Sequence, residues 1–128
     1  MNHEGENYKA GICNIGEREV VIRRKFLLFS FFTTITLTAL VHFYKATILY
    51  CGLYVSAFFT ILILLEIRTR FCILFGMFSL YNFKEPGNLE DVTNSDCKKK
   101  DRKKAMQYTL GSALLALPYV FVIWFFTK

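Results

Sequence analysis

Proline, glycine and histidine are scarce in this chain of 128 residues, which contains two, seven and two of them. So little proline and glycine argues against a low-complexity or generally disordered chain. The four cysteines include no Cys-x-x-Cys spacing, and with only two histidines the ligand pattern of a structural zinc site is missing. No phosphate-binding loop, nucleophile–base arrangement or carboxylate pair is visible either. We therefore expect a protein that is not an enzyme and that carries no cofactor.

Hydrophobic residues, in contrast, are abundant and occur in blocks. They make up 54% of the chain, and aromatic residues make up 17%, with 14 Phe among them. A soluble domain of this size leaves much of its surface in water and can hardly hide so many apolar side chains. The charges lie mainly in residues 1–25 and 66–104 instead of being dispersed. This pattern indicates an integral membrane protein with a single domain.

Three apolar runs are long enough to cross a bilayer as helices. Residues 26–43 and 46–65 cover about 27 Å and about 30 Å at the helical rise per residue, close to the hydrocarbon thickness. Only two residues clearly separate these runs, so we predict an antiparallel hairpin. The third run, 108–126, contains Pro118, which we expect to kink the helix. The predicted fold is an all-α membrane protein with three transmembrane helices, a hairpin plus a basic-led third helix.

The polar segment 1–24 precedes the first span, and residues 66–83 follow the second. In the first of these segments we predict a turn from which Asn14 caps a short helix leading into the span. The apolar part of 66–83 is too short to cross a bilayer. We predict that it continues the second helix or lies at the headgroup level as an interfacial extension, with a bend at Gly76. A re-entrant loop is a further alternative.

Residues 84–107 are predicted to form a polar loop and the basic start of the last helix. Pro86-Gly87 is a turn signal within the loop. Asn94 or Ser95 is expected to cap the helix, which then runs from a soluble basic turn into the third span.

Lysine and arginine are distributed unevenly along the chain, whose formal charge is +6. Five of them precede the first span and nine lie between the second and third, whereas only Lys45 and Lys128 lie on the opposite side. By the positive-inside rule, the N-terminus and the long loop are cytoplasmic and the C-terminus is outside. The residues assigned to topology and to lipid headgroups are Arg23, Arg24, Lys25, Lys98, Lys99, Lys100, Arg102, Lys103 and Lys104.

Anionic lipid headgroups are the expected partner of these basic residues. On a soluble protein, such a charge would suggest nucleic acid. Here the basic residues flank apolar runs, so the membrane surface is the better explanation and we expect no nucleic acid partner. Anchoring and topology alone would account for the cluster, and a dedicated lipid-binding role is the sharper alternative.

Small polar residues recur about every fourth position within the spans and so share one face of each helix. Such faces let membrane helices approach closely, and hydroxyl groups bond across them. We predict helix packing, within the chain or between copies, and a polar pathway or ligand groove is the alternative. The residues are Ser30, Thr34, Thr38, His42, Gly52, Ser56, Thr60, Ser112 and Ala116.

Two further features are candidates for a chemical role, a pair of thiols and a carboxylate. Cys13 and Cys72 are a speculative thiol pair, since both are expected at the cytoplasmic headgroup level, where reducing conditions disfavour a structural disulfide. Glu66 is the carboxylate nearest to hydrocarbon. Because Arg70 follows it one helical turn later, we predict an interfacial ion pair between the two, and an ion or proton path is the alternative.

Two stretches, "CNIGEREVVIRRK" and "RFCILFGMFSLYNF", resemble a family of small uncharacterised bacterial membrane proteins. The shared pattern is a Cys-Asn-x-Gly start, arginines before the first span, and a Phe-Cys-x-x-Phe-Gly motif after the second span that is followed by an Asn. The matching positions are Cys13, Asn14, Gly16, Glu19, Arg23, Arg24, Phe71, Cys72, Phe75, Gly76 and Asn82. The resemblance implies a protein of the bacterial cytoplasmic membrane, and it implies no activity.

These observations favour a small accessory or scaffold protein that acts through packing, as a homo-oligomer or beside a membrane protein partner. A transporter working as a dimer of three-helix units is an alternative function. A protein with a thiol or metal site at the cytoplasmic face is a weaker one.

Overall fold

The fold consists mainly of three long helices. The structure is a computed structural model, and it describes residues 8–82 and 89–128. The elements are α1 (Glu17–Tyr44), α2 (Thr47–Thr69), α3 (Ile73–Phe78), β1 (Leu80–Tyr81), β2 (Glu90–Asp91) and α4 (Ser95–Thr127). Of the described residues, 78% are helical. Helices α1, α2 and α4 are each long and apolar enough to cross a membrane. The all-α prediction with three candidate spans is therefore confirmed.

Helix α1 takes in both the predicted short helix and the first span, without a break. It begins after Gly16, and no side chain caps it, so the prediction that Asn14 is the cap is wrong. Glu17 and Glu19 lie in the first turn, where negative charge favours the positive end of the helix dipole. The helix ends at Tyr44, and the left-handed backbone of Lys45 (φ 51°) turns the chain toward α2. The predicted hairpin follows from this short connection.

Helix α2 does not continue into the apolar segment that follows it. It ends at Thr69, and Arg70 adopts a left-handed conformation with φ 53°. Phe71 and Cys72 then run without helical structure until the short helix α3 begins. The predicted continuation of the second helix is therefore wrong, because the chain turns at Arg70.

Gly76 lies within α3 and lets that helix approach α4 closely, whereas the sequence predicted a bend there. A Cβ atom at this position would lie 2.7 Å from Cζ of Phe71 and 3.0 Å from the backbone oxygen of Asp101. The first distance requires Phe71 or α3 to shift, and the second is tighter than almost all contacts of a Cβ atom. A side chain at this position would therefore strain the packing of α3 against Phe71 and α4.

Helix α4 is a single helix of 33 residues that joins the basic turn to the third span. Asn94 is its cap and accepts a hydrogen bond from the backbone N–H of Asp96, which confirms one of the two predicted caps. Pro118 lies inside the helix, and its kink stays a prediction. The predicted turn at Pro86-Gly87 lies outside the described residues.

Helix α2 lies between the other two long helices and packs extensively on both, whereas α1 and α4 contact each other only briefly. Hydroxyl groups join α1 to α2. Oγ of Ser30 lies 2.7 Å from Oγ1 of Thr60, and Oγ1 of Thr34 lies 2.7 Å from Oγ of Ser56. On α4, Ser112 is fully buried. The small-residue faces thus pack within the chain, as one of the two predicted forms of packing requires.

Candidate functional site

The end of the bundle where α1 and α4 begin and α2 ends, called here the basic end, holds most of the buried polar side chains. Asn14 is completely buried there. Its Oδ1 accepts a hydrogen bond from the backbone N–H of Cys72 at 2.7 Å, and its Nδ2 donates to the backbone oxygen of Cys72 at 3.1 Å. The N–H of Cys72 precedes α3 and has no helical partner, so the amide oxygen satisfies it, while the amide N–H adds a second bond to an oxygen that already accepts from the N–H of Gly76.

Asn82 joins the same arrangement from the segment after β1. Its backbone N–H donates to the backbone oxygen of Asn14 at 2.9 Å, and its backbone oxygen accepts from the backbone N–H of Gly16 at 2.7 Å. Its side-chain Nδ2 donates to Oε1 of Glu19 at 3.0 Å. The N-terminal turn, the start of α1 and the chain beyond α3 are therefore connected through two asparagines.

Arg23 lies between two carboxylates at this end. Its Nη1 is 2.6 Å from Oε2 of Glu19, and its Nε is 3.3 Å from Oε2 of Glu66. The second oxygen of Glu66 accepts from the backbone N–H of Ile73 at 3.0 Å. These three charged side chains are almost buried, between 10% and 13% exposed. Together with the two asparagines they form the polar cluster, which consists of Asn14, Glu19, Arg23, Glu66 and Asn82.

The predicted pair between Glu66 and Arg70 is wrong. Arg70 instead donates to Glu17 at 2.7 Å on the exposed surface. The expected pair required helical geometry from one residue to the other, and Arg70 has left the helix. The side chain of Arg23 bonds to Glu19 and Glu66, and its contact with headgroups stays a prediction.

The guanidinium of Arg23 is held as a cation within the cluster. Burial opposes the charge, but the Cys72 side chain, Glu19 and Glu66 around it raise its pKa above the ordinary value. The guanidinium also lies 5.5 Å from the centre of the Phe75 ring. The cluster therefore contains one permanent positive charge opposite two carboxylates, and it acts chemically as a buried clamp between α1, α2 and α3.

The two predicted thiol residues come from adjoining segments, since Asn14 bonds the backbone of Cys72. Cys13 is half-buried, and its thiol points to the oxygen of Ile15 at 3.7 Å. Cys72 is buried against Ile15 and Val20. Neither is in a disulfide. Burial raises the pKa of both thiols, and the charge of Glu66 raises that of Cys72 further.

A raised pKa keeps these thiols protonated at neutral pH, and the protonated form is a poor nucleophile and metal ligand. Within residues 8–82 and 89–128, no three His, Cys, Asp or Glu side chains come close enough to hold a metal ion. The thiol pair stays a prediction that the arrangement does not favour.

Asp101 is a buried residue that the sequence reasoning missed. Its Oδ2 accepts from the hydroxyl of Tyr8 at 2.5 Å, and its Oδ1 accepts from the backbone N–H of Gly11 at 2.6 Å. The ring of Tyr8 in turn stacks on Tyr81, with 4.9 Å between the centroids. The one available signal was that Asp101 is the single acid in a run of seven residues that are otherwise basic.

The basic residues of α4 divide between its two sides. Lys104 is half-buried, with its Nζ 5.0 Å from the centre of the Tyr108 ring, and Lys98 is half-buried as well. The exposed members form the basic face, which consists of Lys99, Lys100, Arg102 and Lys103. Arg24 and Lys25 of α1 are also exposed, and their contact with headgroups stays a prediction.

An open groove runs along the apolar part of the bundle, between α1 and α2. Its volume is about 560 Å³. Small side chains, among them Ser30, Gly52 and Ser56, line it together with Phe26 and Phe59.

Comparisons of this chain with protein-family models, with curated proteins and with solved structures find no match.

Proposed function

We propose that this protein is a scaffold of the bacterial cytoplasmic membrane that acts by associating with further copies of itself. The N-terminus and the basic end lie on the cytoplasmic side in this proposal, and the C-terminus lies outside. The excess of Lys and Arg at that end supports the orientation. The motif resemblance described above supports the bacterial assignment.

The groove between α1 and α2 is the observation that carries the proposal. Membrane helices associate through surfaces where small residues let a neighbouring backbone or side chain approach closely. Gly52 and Ser56 of α2 line this groove opposite Ser30 of α1. A Cβ added at Gly52 would meet Leu37 only at 3.9 Å, so this part of the groove has space for an incoming side chain.

Helix α4 of a second copy is the occupant that fits. It carries a ridge of large, exposed apolar side chains spaced three or four residues apart, and two of them, Leu117 and Phe121, also border α2. Leu110, Leu114, Leu117 and Phe121 form this ridge and are 54% to 65% exposed. A ridge of large residues packs into a groove of small ones, which is the usual geometry of helix pairs.

The ridge and the groove also lie at the same depth in the bundle. The α1 side of the groove extends from Phe26 to Leu37, starting where the apolar part of α1 begins. The ridge extends from Leu110 to Phe121, starting two residues into the apolar part of α4. Each covers about 17 Å of helix. Because copies share one orientation in the membrane, α4 of one copy would lie parallel to α1 of the next.

The polar cluster supports a structural role over a catalytic one. Its side chains bond to one another and to backbone groups, so they are engaged in holding the basic end together. The proposed contact joins two unlike surfaces, the ridge of one copy and the groove of the next. Copies joined in this way close into a ring or continue as an open chain.

The test fills the groove and measures the association. Gly52→Leu places a large side chain in the groove, and Gly111→Leu is the matched control, since nothing lies within 4 Å of a Cβ at Gly111. The mass of the purified protein in mild detergent, by light scattering, and cross-linking in native membranes report the oligomer. We expect oligomers for the unmodified protein and Gly111→Leu, and monomers for Gly52→Leu. A monomeric unmodified protein in both assays, or unchanged association of Gly52→Leu, contradicts the proposal.

A further inference from the structure

The basic face presents four positive charges in little more than one turn of α4. Lys99, Lys100, Arg102 and Lys103 are all exposed. Their neighbour Asp101 could neutralise part of this charge, but it lies on the opposite side of the helix and is completely buried. Tyr8 and the backbone of Gly11 bind its two oxygens there. Because the carboxylate of Asp101 faces the interior, it leaves the positive charges of the basic face uncompensated by an acid of the same helical turn.

Apart from the inward-facing Asp101, the acid of α4 nearest to the basic face is Asp96, which is exposed in the first turn of the helix. It lies farther from the apolar part of the helix than every member of the basic face. On the side of the face toward the apolar part, the next charged residue is Lys104, which leans over Tyr108. No acid of α4 therefore lies between the basic face and the apolar span.

The position of the basic face relative to the span is fixed, because α4 is one uninterrupted helix. Lys103 and Lys99 lie about 8 Å and about 14 Å along the helix axis from Tyr108, where the apolar part begins. The headgroup layer on each side of a bilayer is roughly 5–8 Å thick. Lysine side chains reach several ångströms toward an interface while their charge stays in a polar region. All four charges can therefore meet headgroup phosphates.

We propose that the basic face is a binding surface for the anionic headgroups of phospholipids in the membrane that holds the protein. Clusters of this kind next to a span attract anionic lipids with a contribution from each basic residue. The surface is separate from the groove between α1 and α2, so the inference does not rest on the proposed self-association.

The test compares two pairs of lysines at the two ends of the bundle. Lys99→Gln/Lys103→Gln removes two charges from the basic face, and Lys45→Gln/Lys128→Gln removes two charges from the opposite end. The detergent-purified full chain is titrated with phosphatidylglycerol, phosphatidylcholine or inorganic pyrophosphate, and the bound molecules per protomer are counted by native mass spectrometry. Counting per protomer keeps the result independent of the oligomeric state.

We expect the unmodified protein to prefer phosphatidylglycerol over phosphatidylcholine, and the variant of the basic face to lose that preference by about tenfold or more. The variant at the opposite end should keep it. An equal preference in all three proteins overturns the proposal. So does binding of pyrophosphate by the basic face without a preference for phosphatidylglycerol, since the ligand would then be a free phosphate and not a lipid.

Discussion

Asn14 binds both backbone groups of Cys72, a residue 58 positions later in the chain. The amide side chain thus gives the N–H of Cys72 the partner that it lacks between α2 and α3, and it adds a second bond to the oxygen, which also accepts from Gly76. This contact explains why an asparagine lies in the turn before α1 even though it does not cap that helix.

Asn14→Ala is therefore expected to destabilise the protein. It removes two hydrogen bonds and leaves the buried N–H of Cys72 without a partner, whereas the oxygen of Cys72 keeps its bond from the N–H of Gly76, and the loss costs about 1–3 kcal/mol. Asn94→Ala removes an exposed helix cap and should cost about 1 kcal/mol. Unfolding in detergent with increasing denaturant measures both. Equal losses from the two variants would mean that the contact between Asn14 and Cys72 contributes no more than a cap does.

Arg23→Ala should cause a larger loss of stability, because it leaves Glu19 and Glu66 close together without their common cation. Removing one partner of a buried ion pair costs about 3–5 kcal/mol. Arg24→Ala, at the next and exposed position, should change the stability by less than about 0.5 kcal/mol. Denaturant unfolding of both variants tests this. Adding Glu66→Gln to Arg23→Ala should restore part of the loss, and a double variant no more stable than the single one would contradict the assigned pairing.

Gly76→Ala should separate α3 from α4. The added methyl group would lie against Phe71 and the backbone of Asp101, at distances of 2.7 Å and 3.0 Å. We expect a loss of about 1–3 kcal/mol, as for other overpacked sites. Gly111→Ala, in open space on α4, should instead be neutral or stabilising by up to about 1 kcal/mol, since alanine favours a helix. Thermal unfolding of the two variants compares the same change with and without a close neighbour.

Cys72 should react slowly with alkylating reagents. Its alkylation rate should keep rising at pH values at which an ordinary thiol is already ionised. The reason is that burial and the charge of Glu66 raise its pKa above the ordinary 9.0. Labelling with iodoacetamide between pH 7 and 10, followed by mass spectrometry of peptides, gives the profile, and the same protein unfolded in denaturant is the control. A Cys72 rate in the folded protein equal to the control would contradict the buried site.

The same pKa shift has a consequence for stability. Because the folded state holds the proton on Cys72 more tightly than the unfolded state, this contribution to stability is complete below pH 9.0 and declines as the pH rises through the raised pKa. Cys72→Ser should reduce that decline in a series of unfolding measurements from pH 7 to 10.

Asp101→Asn should loosen the N-terminal turn from α4. The variant keeps the shape of the side chain but loses its charge and one acceptor, which weakens the bonds from Tyr8 and Gly11. Limited proteolysis should then cut the chain before α1 more rapidly. Asp96→Asn, an equivalent change at an exposed position of the same helix, should leave the cleavage rate unchanged. Identical cleavage of the two variants would show that Asp101 does not hold the turn.

The sequence predicted the parts of the fold that depend on neighbouring residues. The three spans, the hairpin and the cap at Asn94 each follow from composition and from signals a few positions apart. Arg70 shows the limit of such signals. Its left-handed backbone ends α2, but nothing about an arginine marks it as a stop, whereas a glycine would have done so.

The site was harder to predict because its contacts join distant segments. Asn14 has the right chemistry for a helix cap, and the same amide satisfies the backbone of Cys72 once that segment lies beside it. Glu66 had Arg70 as the nearest cation in sequence, but Arg23 is the nearest in space. Asp101 has only basic neighbours in sequence, and its partners Tyr8 and Gly11 lie 93 and 90 positions away.

The separation of these partners along the chain sets the order in which the protein can be completed. Asn82 and Glu19 are 63 positions apart, and Tyr8 and Asp101 are 93 apart. During synthesis, Glu19 and Arg23 are made long before Glu66 and Asn82, so the first turns of α1 exist before these partners do. The polar cluster closes only when the chain through Asn82 has been made, and the N-terminal turn docks only when α4 has begun. Among the described residues, Tyr8 and Gly11 are therefore made early and reach their final contacts late.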